Sequence, residues 1–374
     1  MFLDINLISV LDSAGVIQGL AFGIMLLVIN KRRKNYSYCL GLILILYSLQ
    51  RVTVVFAELN IFELYPELFL LPTISYWLLF PIFFIYTQKI SILSEKKNKI
   101  WLLYPGIAYF IFQLYIFLLP YETKLIIAEQ SWFITPKFIG LFYGWVVAIW
   151  NLKFIENHKR EVLNQYTETK NKELKWVKQF IIFALIATVV YAFQFYLLPK
   201  NIYSRVFFLC IDLTIIYWLS FYGIMQTNIH SVIAQDTNNK TTATPSLVLK
   251  NQQRVDYKEL KTLVDRIENH LLETELYTES ELTIVEVANL LDVHPRKVST
   301  AINTIKKQNF NNYINRFRVE KAITVLQSKD AEHFSVEGIG NKVGFKSKSA
   351  FYSSFKKETG TTPTQYLQQA LVEK

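Results

Sequence analysis

The 374-residue sequence contains little cysteine, histidine or charge. Its two cysteines, Cys39 and Cys210, are too few for a disulfide framework or a cysteine-based zinc cluster. The five histidines are scattered without the spacing of metal ligands. Charged residues make up only 19% of the chain, whereas 52% is hydrophobic and 15% is aromatic. This balance excludes disorder over most of the length and is typical of a membrane protein.

Long apolar runs are confined to residues 1–226. A helix needs about 20 mostly apolar residues to cross a bilayer. A buried core helix would explain one such run, but several runs separated by short loops favour a polytopic seven-helix transmembrane bundle. Pro72 and Pro81 are expected to kink the third run, and the fifth run is the shortest. The runs cover residues 14–30, 37–56, 68–86, 101–119, 137–152, 177–198 and 204–224.

Lysine and arginine are concentrated in the first, third and fifth loops between these runs and are sparse in the others. Loops rich in these residues remain in the cytoplasm. The N-terminus is therefore expected outside, and an odd number of spans places the residues after the bundle in the cytoplasm.

Several polar residues lie at membrane depth, where charge is costly and usually functional. At 1.5 Å per residue, Arg51 and Asp212 are both roughly 8–12 Å below the outer surface and are therefore able to pair. One interpretation is a ligand pocket, and the alternative is a structural ion pair with interhelical hydrogen bonds. The candidate pocket residues are Gln18, Gln50, Arg51, Ser75, Gln113, Gln194 and Asp212.

The rest of the chain differs from the bundle. Residues 227–252 read as a polar linker, and residues 253–374 read as an all-α soluble domain. The domain contains an internal repeat of helix, tight turn and helix, at about 282–304 and 335–357, joined by a long helix from Asn311 to Leu326. This is the helix-turn-helix pattern. Residues 294–358 hold 13 basic and 5 acidic residues, which suits a nucleic-acid surface.

The region from about 277 to 370 resembles the DNA-binding domain of AraC/XylS-type bacterial transcription regulators. The resemblance covers about a quarter of the chain. Asp292 and Lys307 depart from it, because each stands where the family usually has a turn glycine. It rests on Leu282-Thr-Ile-Val-Glu-Val-Ala-Asn-Leu-Leu291, Phe317-Arg-Val-Glu-Lys-Ala322, Val343-Gly-Phe345, Phe351-Tyr-Ser-Ser-Phe-Lys-Lys-Glu-Thr-Gly360, Thr362-Pro363 and Tyr366.

The resemblance implies that the second helix of each repeat enters the DNA major groove, about one turn apart. The first repeat would present Arg296, Lys297, Ser299, Thr300 and Asn303, and the second Lys346, Lys348, Ser349 and Ser353. Phosphate contacts are expected from Arg318, Lys321, Lys356 and Lys357.

The whole arrangement resembles membrane-bound regulators seen mainly among Bacteroidetes-type bacteria. It implies a transcription regulator in the bacterial inner membrane, whose bundle senses a small or lipophilic signal and acts through residues 225–255. The expected partners are double-stranded DNA, membrane lipids and an unidentified small molecule, and homodimer formation stays open. No catalytic residue, metal or cofactor is expected. Two alternatives are a transporter or enzyme with a DNA-binding tail, and an anchor from which the regulator is released by proteolysis.

Overall fold

The computed structural model divides the chain into two compact units. They are Met1–Asn157 with Leu174–Thr242, and His158–Glu173 with Ala243–Lys374. Within the described residues all regular elements are helices, which confirms the expected all-α class. The predicted linker at 227–252 lies outside the described residues. The structure describes residues 6–33, 36–93, 99–169, 172–197, 202–225, 257–328 and 334–372.

In the first unit, six helical segments are long and apolar enough to cross a membrane, counting only described residues. They correspond to α1, α2, α5 with the turn before it, α7, α8 and α9. Helix α4 is shorter, with 15 residues. The helices are α1 Leu7–Arg33, α2 Ser37–Glu58, α3 Ile61–Leu64, α4 Tyr76–Ile90, α5 Tyr104–Phe117, α6 Tyr121–Glu129, α7 Thr135–Gln165, α8 Lys175–Leu197 and α9 Ile202–Met225.

The third and fifth apolar runs form helices of unexpected length. Helix α4 begins only at Tyr76, so Pro72 precedes the helix and does not kink it, whereas Pro81 lies within it. Helix α7 has 31 residues and is the longest, because good helix formers such as Glu156 and Lys159 extend it beyond the apolar run.

Small residues allow α1 and α2 to approach closely. A Cβ added at Gly23 would lie 2.7 Å from the Ile45 side chain, and one at Gly41 would lie 2.7 Å from the Gly23 carbonyl oxygen. A Cβ at Gly19 would overlap the Ser48 hydroxyl. These glycines are therefore used for packing within the bundle.

The second unit contains two apolar cores that share one helix. That helix is α13, Phe310–Gln327. Its Phe310 and Phe317 are buried in one core, and its Val319 and Leu326 are buried in the other. Helix α13 therefore joins the two repeats, as the sequence predicts. The helices of this unit are α10 Tyr257–Thr274, α11 Ile284–Leu290, α12 Pro295–Ala301, α13 Phe310–Gln327, α14 Val336–Lys342, α15 Lys348–Thr359 and α16 Pro363–Val372.

The turns of the repeats have left-handed backbone conformations. Asp292 has φ 53°, Lys307 has φ 56° and Gly344 has φ 102°. The two residues that replace the usual glycines therefore adopt the glycine conformation. This costs about 1 kcal/mol at Lys307, whereas the short polar side chain of Asp292 tolerates it. Thr283 begins α11 with a capping box, in which its amide donates to Glu286 Oε2 at 2.8 Å.

Arg318 is buried, although the resemblance implies a phosphate contact for it. Its side chain donates to the Tyr277 carbonyl at 2.6 Å, the Glu279 carbonyl at 2.7 Å and Asn315 Oδ1 at 3.2 Å. Burial lowers the pKa of Arg318 to about 10, against the opposing effect of Glu168. Arg318 therefore ties α13 to the segment before α11 and is not one of the proposed DNA contacts.

We expect Arg318→Met to destabilise the second unit by about 3 kcal/mol, because two buried carbonyls lose a charged donor. Hydrogen exchange of the α13 amides in the full-length protein measures this loss as roughly 100-fold faster exchange. Lys321→Met is the control on the same helix, since Lys321 is half-buried and its one ion pair among the described residues is with Glu275. Its effect should stay below about 1 kcal/mol. Equal acceleration in both variants would contradict the assigned role of Arg318.

Candidate functional site

The second helix of each repeat presents polar groups to solvent. Arg296 is exposed on α12, and Ser349 and Ser353 are exposed four residues apart on α15. Lys356 and Lys357 are exposed in the last turn of α15. Hydroxyl and basic groups on an exposed helix face can contact base edges and phosphates.

Four of the candidate lysines are paired with acidic residues inside the unit. Such pairs at the surface contribute little, so a DNA phosphate can replace the carboxylate at small cost. The hydrogen bond to Glu337 raises the pKa of Lys348. The pairs are Lys297–Glu259, Lys321–Glu275, Lys346–Glu281 and Lys348–Glu337.

The remaining candidates of the first repeat are less accessible. Ser299, Thr300 and Asn303 are half-buried. The Asn303 amide lies 3.3 Å from Ser299 Oγ and 3.5 Å from Asn164 Oδ1. Asn164 belongs to the segment 158–173, which the division into compact units places with the repeats. We call this stretch the docking segment.

The docking segment pairs with the backbone that leads into α11. Tyr166 and Thr283 form an antiparallel bridge. The amide and hydroxyl of Thr167 donate to the Leu282 carbonyl at 3.3 and 2.8 Å. From α13, Asn311 Nδ2 donates to the carbonyls of Tyr166 at 3.1 Å and Thr167 at 2.7 Å. The first repeat is therefore held by a segment that lies between two apolar runs in the sequence.

Comparisons with known proteins agree with this fold. Residues 287–369 match a family model described as a helix-turn-helix domain. Residues 287–369 form an AraC-type helix-turn-helix domain. The resemblance seen in the sequence is thereby confirmed for this region.

Two individual proteins are similar to parts of this chain. The uncharacterized HTH-type transcriptional regulator YtdP of Bacillus subtilis is 34% identical over 91 residues, which are 24% of this chain and 11% of that protein. The structure of a protein with unknown function from Listeria innocua is 24% identical, covers 28% of this chain and 95% of its own, and has a TM-score of 0.25. This chain thus spans about a tenth of the length of YtdP.

Outside the AraC-type domain, the bundle contains a buried charge cluster. Arg51 Nη2 lies 2.9 Å from Asp212 Oδ2 and 3.2 Å from Asp12 Oδ1. The hydroxyls of Tyr47 and Tyr191 both donate to Asp212 Oδ1. The structure thus brings Arg51 and Asp212 together, and it adds Asp12, which precedes the first predicted run and was not among the candidates.

A cavity of about 470 Å³ lies beside this cluster. Helices α2, α4, α7, α8 and α9 line it, mostly with apolar side chains. Gln50, Arg51 and Asp212 line it among the candidate pocket residues. Ser75 is not part of the lining, and its hydroxyl donates to Gln50 Oε1 at 2.9 Å. Lys137 also lines the cavity and was not among the candidates.

Gln113 and Gln18, two other candidate pocket residues, are not part of the cavity lining. Gln113 bonds the backbone of Ile74 through both ends of its amide, at 3.0 and 2.9 Å. Gln18 Oε1 accepts from the Tyr217 hydroxyl at 2.7 Å. The side chain of Gln194 lies outside the described residues.

We expect Arg51→Met to destabilise the bundle by about 3–5 kcal/mol, because Asp12 and Asp212 would remain buried without their cation. Lys178→Met is the control, since Lys178 lies 4.0 Å from Glu156 and both side chains are about half exposed, so its loss should cost under about 1 kcal/mol. Tryptophan fluorescence during thermal unfolding in detergent reports the bundle, because all seven tryptophans precede residue 226.

Adding Asp212→Asn to Arg51→Met should recover part of the lost stability, since one uncompensated charge is removed. A further loss in the double variant would show that the charge cluster is not the source of the effect.

Proposed function

We propose that the protein is a DNA-binding transcription regulator held in the bacterial inner membrane. The observation that carries this proposal is the pair of helix-turn-helix repeats on the common helix α13, each with an exposed second helix. In this proposal α12 and α15 enter successive major-groove segments of double-stranded DNA. The bundle lies in the membrane with its N-terminus outside, and the shorter helix α4 counts as its seventh span beside the six longer segments. The bundle senses a small or lipophilic molecule.

The surface chemistry supports DNA as the partner. Arg296, Ser349 and Ser353 are placed to read base edges, and the paired lysines are placed to exchange carboxylates for phosphates. Lys356 and Lys357 are exposed where α15 ends and supply further phosphate contacts. Binding of this kind weakens steeply with salt, because phosphate contacts release counterions.

The membrane location is supported by the six long apolar helical segments and by the distribution of basic loops. Lipids are therefore expected to surround the bundle. The linker at 225–255, through which the sequence suggests that the signal passes, lies outside the described residues except for Met225.

We expect the double variant Arg296→Glu with Lys357→Glu to lose sequence-specific DNA binding. Genome-wide crosslinking and immunoprecipitation of tagged full-length protein should give discrete peaks that disappear in the variant. On a DNA fragment from the strongest peak, affinity should fall at least about tenfold, and the salt slope should fall by about 1 per lost phosphate contact.

Lys261→Glu is the matched control, because Lys261 is exposed on α10 outside both repeats. The immunoprecipitation peaks of the wild type should persist in the Lys261→Glu variant. Absence of peaks for the wild type in the membrane, with peaks only from a released soluble fragment, would contradict binding by the tethered protein.

We also propose that the docking segment transmits the signal. Helix α7 carries Lys137 and Phe138 of the cavity lining and continues without interruption to Asn164, which touches Asn303. A docked segment occupies Asn303, one of the side chains expected to contact DNA. Docking therefore restrains the first repeat, and the sensed molecule acts by loosening it.

We expect Thr167→Val to raise DNA affinity about threefold to fivefold in the absence of signal. The variant keeps the shape of the buried side chain but removes the hydroxyl that donates to the Leu282 carbonyl, which weakens docking by about 1 kcal/mol. Titration of the DNA fragment against full-length protein in lipid nanodiscs measures the change. Thr169→Val is the control, since its hydroxyl makes no hydrogen bond to a described residue. If the DNA affinity of Thr167→Val is unchanged although the amide of residue 167 exchanges hydrogen faster, docking does not restrain the first repeat.

A further inference from the structure

The cavity in the bundle has the size and lining of a site for an amphipathic molecule. Its volume of about 470 Å³ falls within the range of sites for drug-sized ligands, about 300–1,000 Å³. Most of its wall is apolar, with Ile43, Phe83, Phe180 and Ile215 contributed by four helices. Such a wall favours a hydrocarbon body, because burying apolar surface stabilises the complex.

Three charged side chains line the cavity, and two of them form an ion pair with each other. Arg51 pairs with Asp212 and also with Asp12, so its charge is already opposed by two carboxylates. Asp212 receives Arg51 and two tyrosine hydroxyls. Neither group is therefore available to bind a charged ligand at low cost.

Lys137 is the exception. It makes no ion pair and no hydrogen bond to any residue that the structure describes, and its Nζ lies 5.6 Å from the centre of the Phe133 ring. Lys137 lies in the first turn of α7, where the helix dipole adds further positive potential. A lysine that is half-buried in an apolar wall without a counter-ion is a binding point for an anion.

We propose that this cavity binds an amphipathic monocarboxylate, with the hydrocarbon chain between α2, α4, α8 and α9 and the carboxylate on Lys137. A cationic amphiphile fits less well, because the carboxylate that it would need, Asp212, is already ion-paired with Arg51 and accepts from two tyrosine hydroxyls. A neutral alcohol would fill the same space but leave Lys137 without a partner. The inference deepens the proposed sensing role and rests on it, since it names the class of molecule that is sensed.

The test is direct binding to the full-length protein in phosphatidylcholine nanodiscs, with radiolabelled dodecanoate as the probe. Dodecanol and dodecyltrimethylammonium serve as competitors with the same chain. We expect dodecanoate to compete at least tenfold better than either. Lys137→Met should weaken dodecanoate binding at least tenfold while leaving dodecanol unchanged.

Two further variants separate charge from folding. Lys137→Arg retains the positive charge and should bind dodecanoate within about threefold of the wild type. Lys153→Met changes an exposed lysine on the same helix and should have no effect. Equal binding of dodecanol and dodecanoate would show a neutral ligand site, and tighter binding of the cationic probe would assign the site to Asp212.

Either of those results, or no binding at all, would overturn the inference. The DNA-binding experiment uses no amphiphile, so its peaks would survive a failure here. Conversely, dodecanoate binding that depends on Lys137 would stand even if those DNA peaks were absent.

Discussion

Charged groups that are removed from water must find their partners inside the protein, and this constraint organises both units. In the bundle, Arg51 of α2 is held by Asp12 of α1 and Asp212 of α9. The three residues therefore fix the relative positions of α1, α2 and α9. Contacts between apolar side chains alone would leave these positions weakly defined. In the AraC-type domain, Arg318 satisfies the same constraint with two backbone carbonyls and an asparagine. Because its guanidinium is used in these internal hydrogen bonds, Arg318 is not available to contact DNA.

The Arg318 network extends from α13 to the docking segment. Asn315 Oδ1 accepts from Arg318, and its amide donates to Asn311 Oδ1 at 3.0 Å. Asn311 then donates to the carbonyls of Tyr166 and Thr167. Each member is oriented by the next, and hydrogen bonds in a buried chain strengthen one another. Helix α13 thus presents apolar residues to both cores and the polar side chains of Asn311 and Asn315 to the docking segment and Arg318. These hydrogen bonds explain why the two asparagines are buried.

Local pattern was sufficient for the parts of the fold that depend on local chemistry. The capping box at Thr283, the turn at Asp292 and the helix α13 follow from residue type and spacing, whereas the turn at Lys307 is expected from the resemblance alone. The burial of Arg318, the role of Asp12 and the position of Lys137 depend on contacts between residues far apart in the sequence. The docking segment is the clearest case, because Tyr166 and Thr283 pair through an isolated bridge that leaves no periodicity in either segment.

The length of α7 gives the proposed sensing mechanism its physical basis. A polar linker absorbs a small displacement through its own freedom, whereas a continuous helix moves as one body. After Pro136, no proline interrupts α7 before Gln165. Its two glycines do not loosen it, because Gly140 packs on Trp77 and Gly144 on Phe80, both of α4. In the proposed mechanism, a shift or rotation at Lys137 is passed along α7 to Asn164. The contact between the docking segment and the first repeat depends on a few hydrogen bonds. A small change in free energy is therefore enough to shift the balance between docked and released segments.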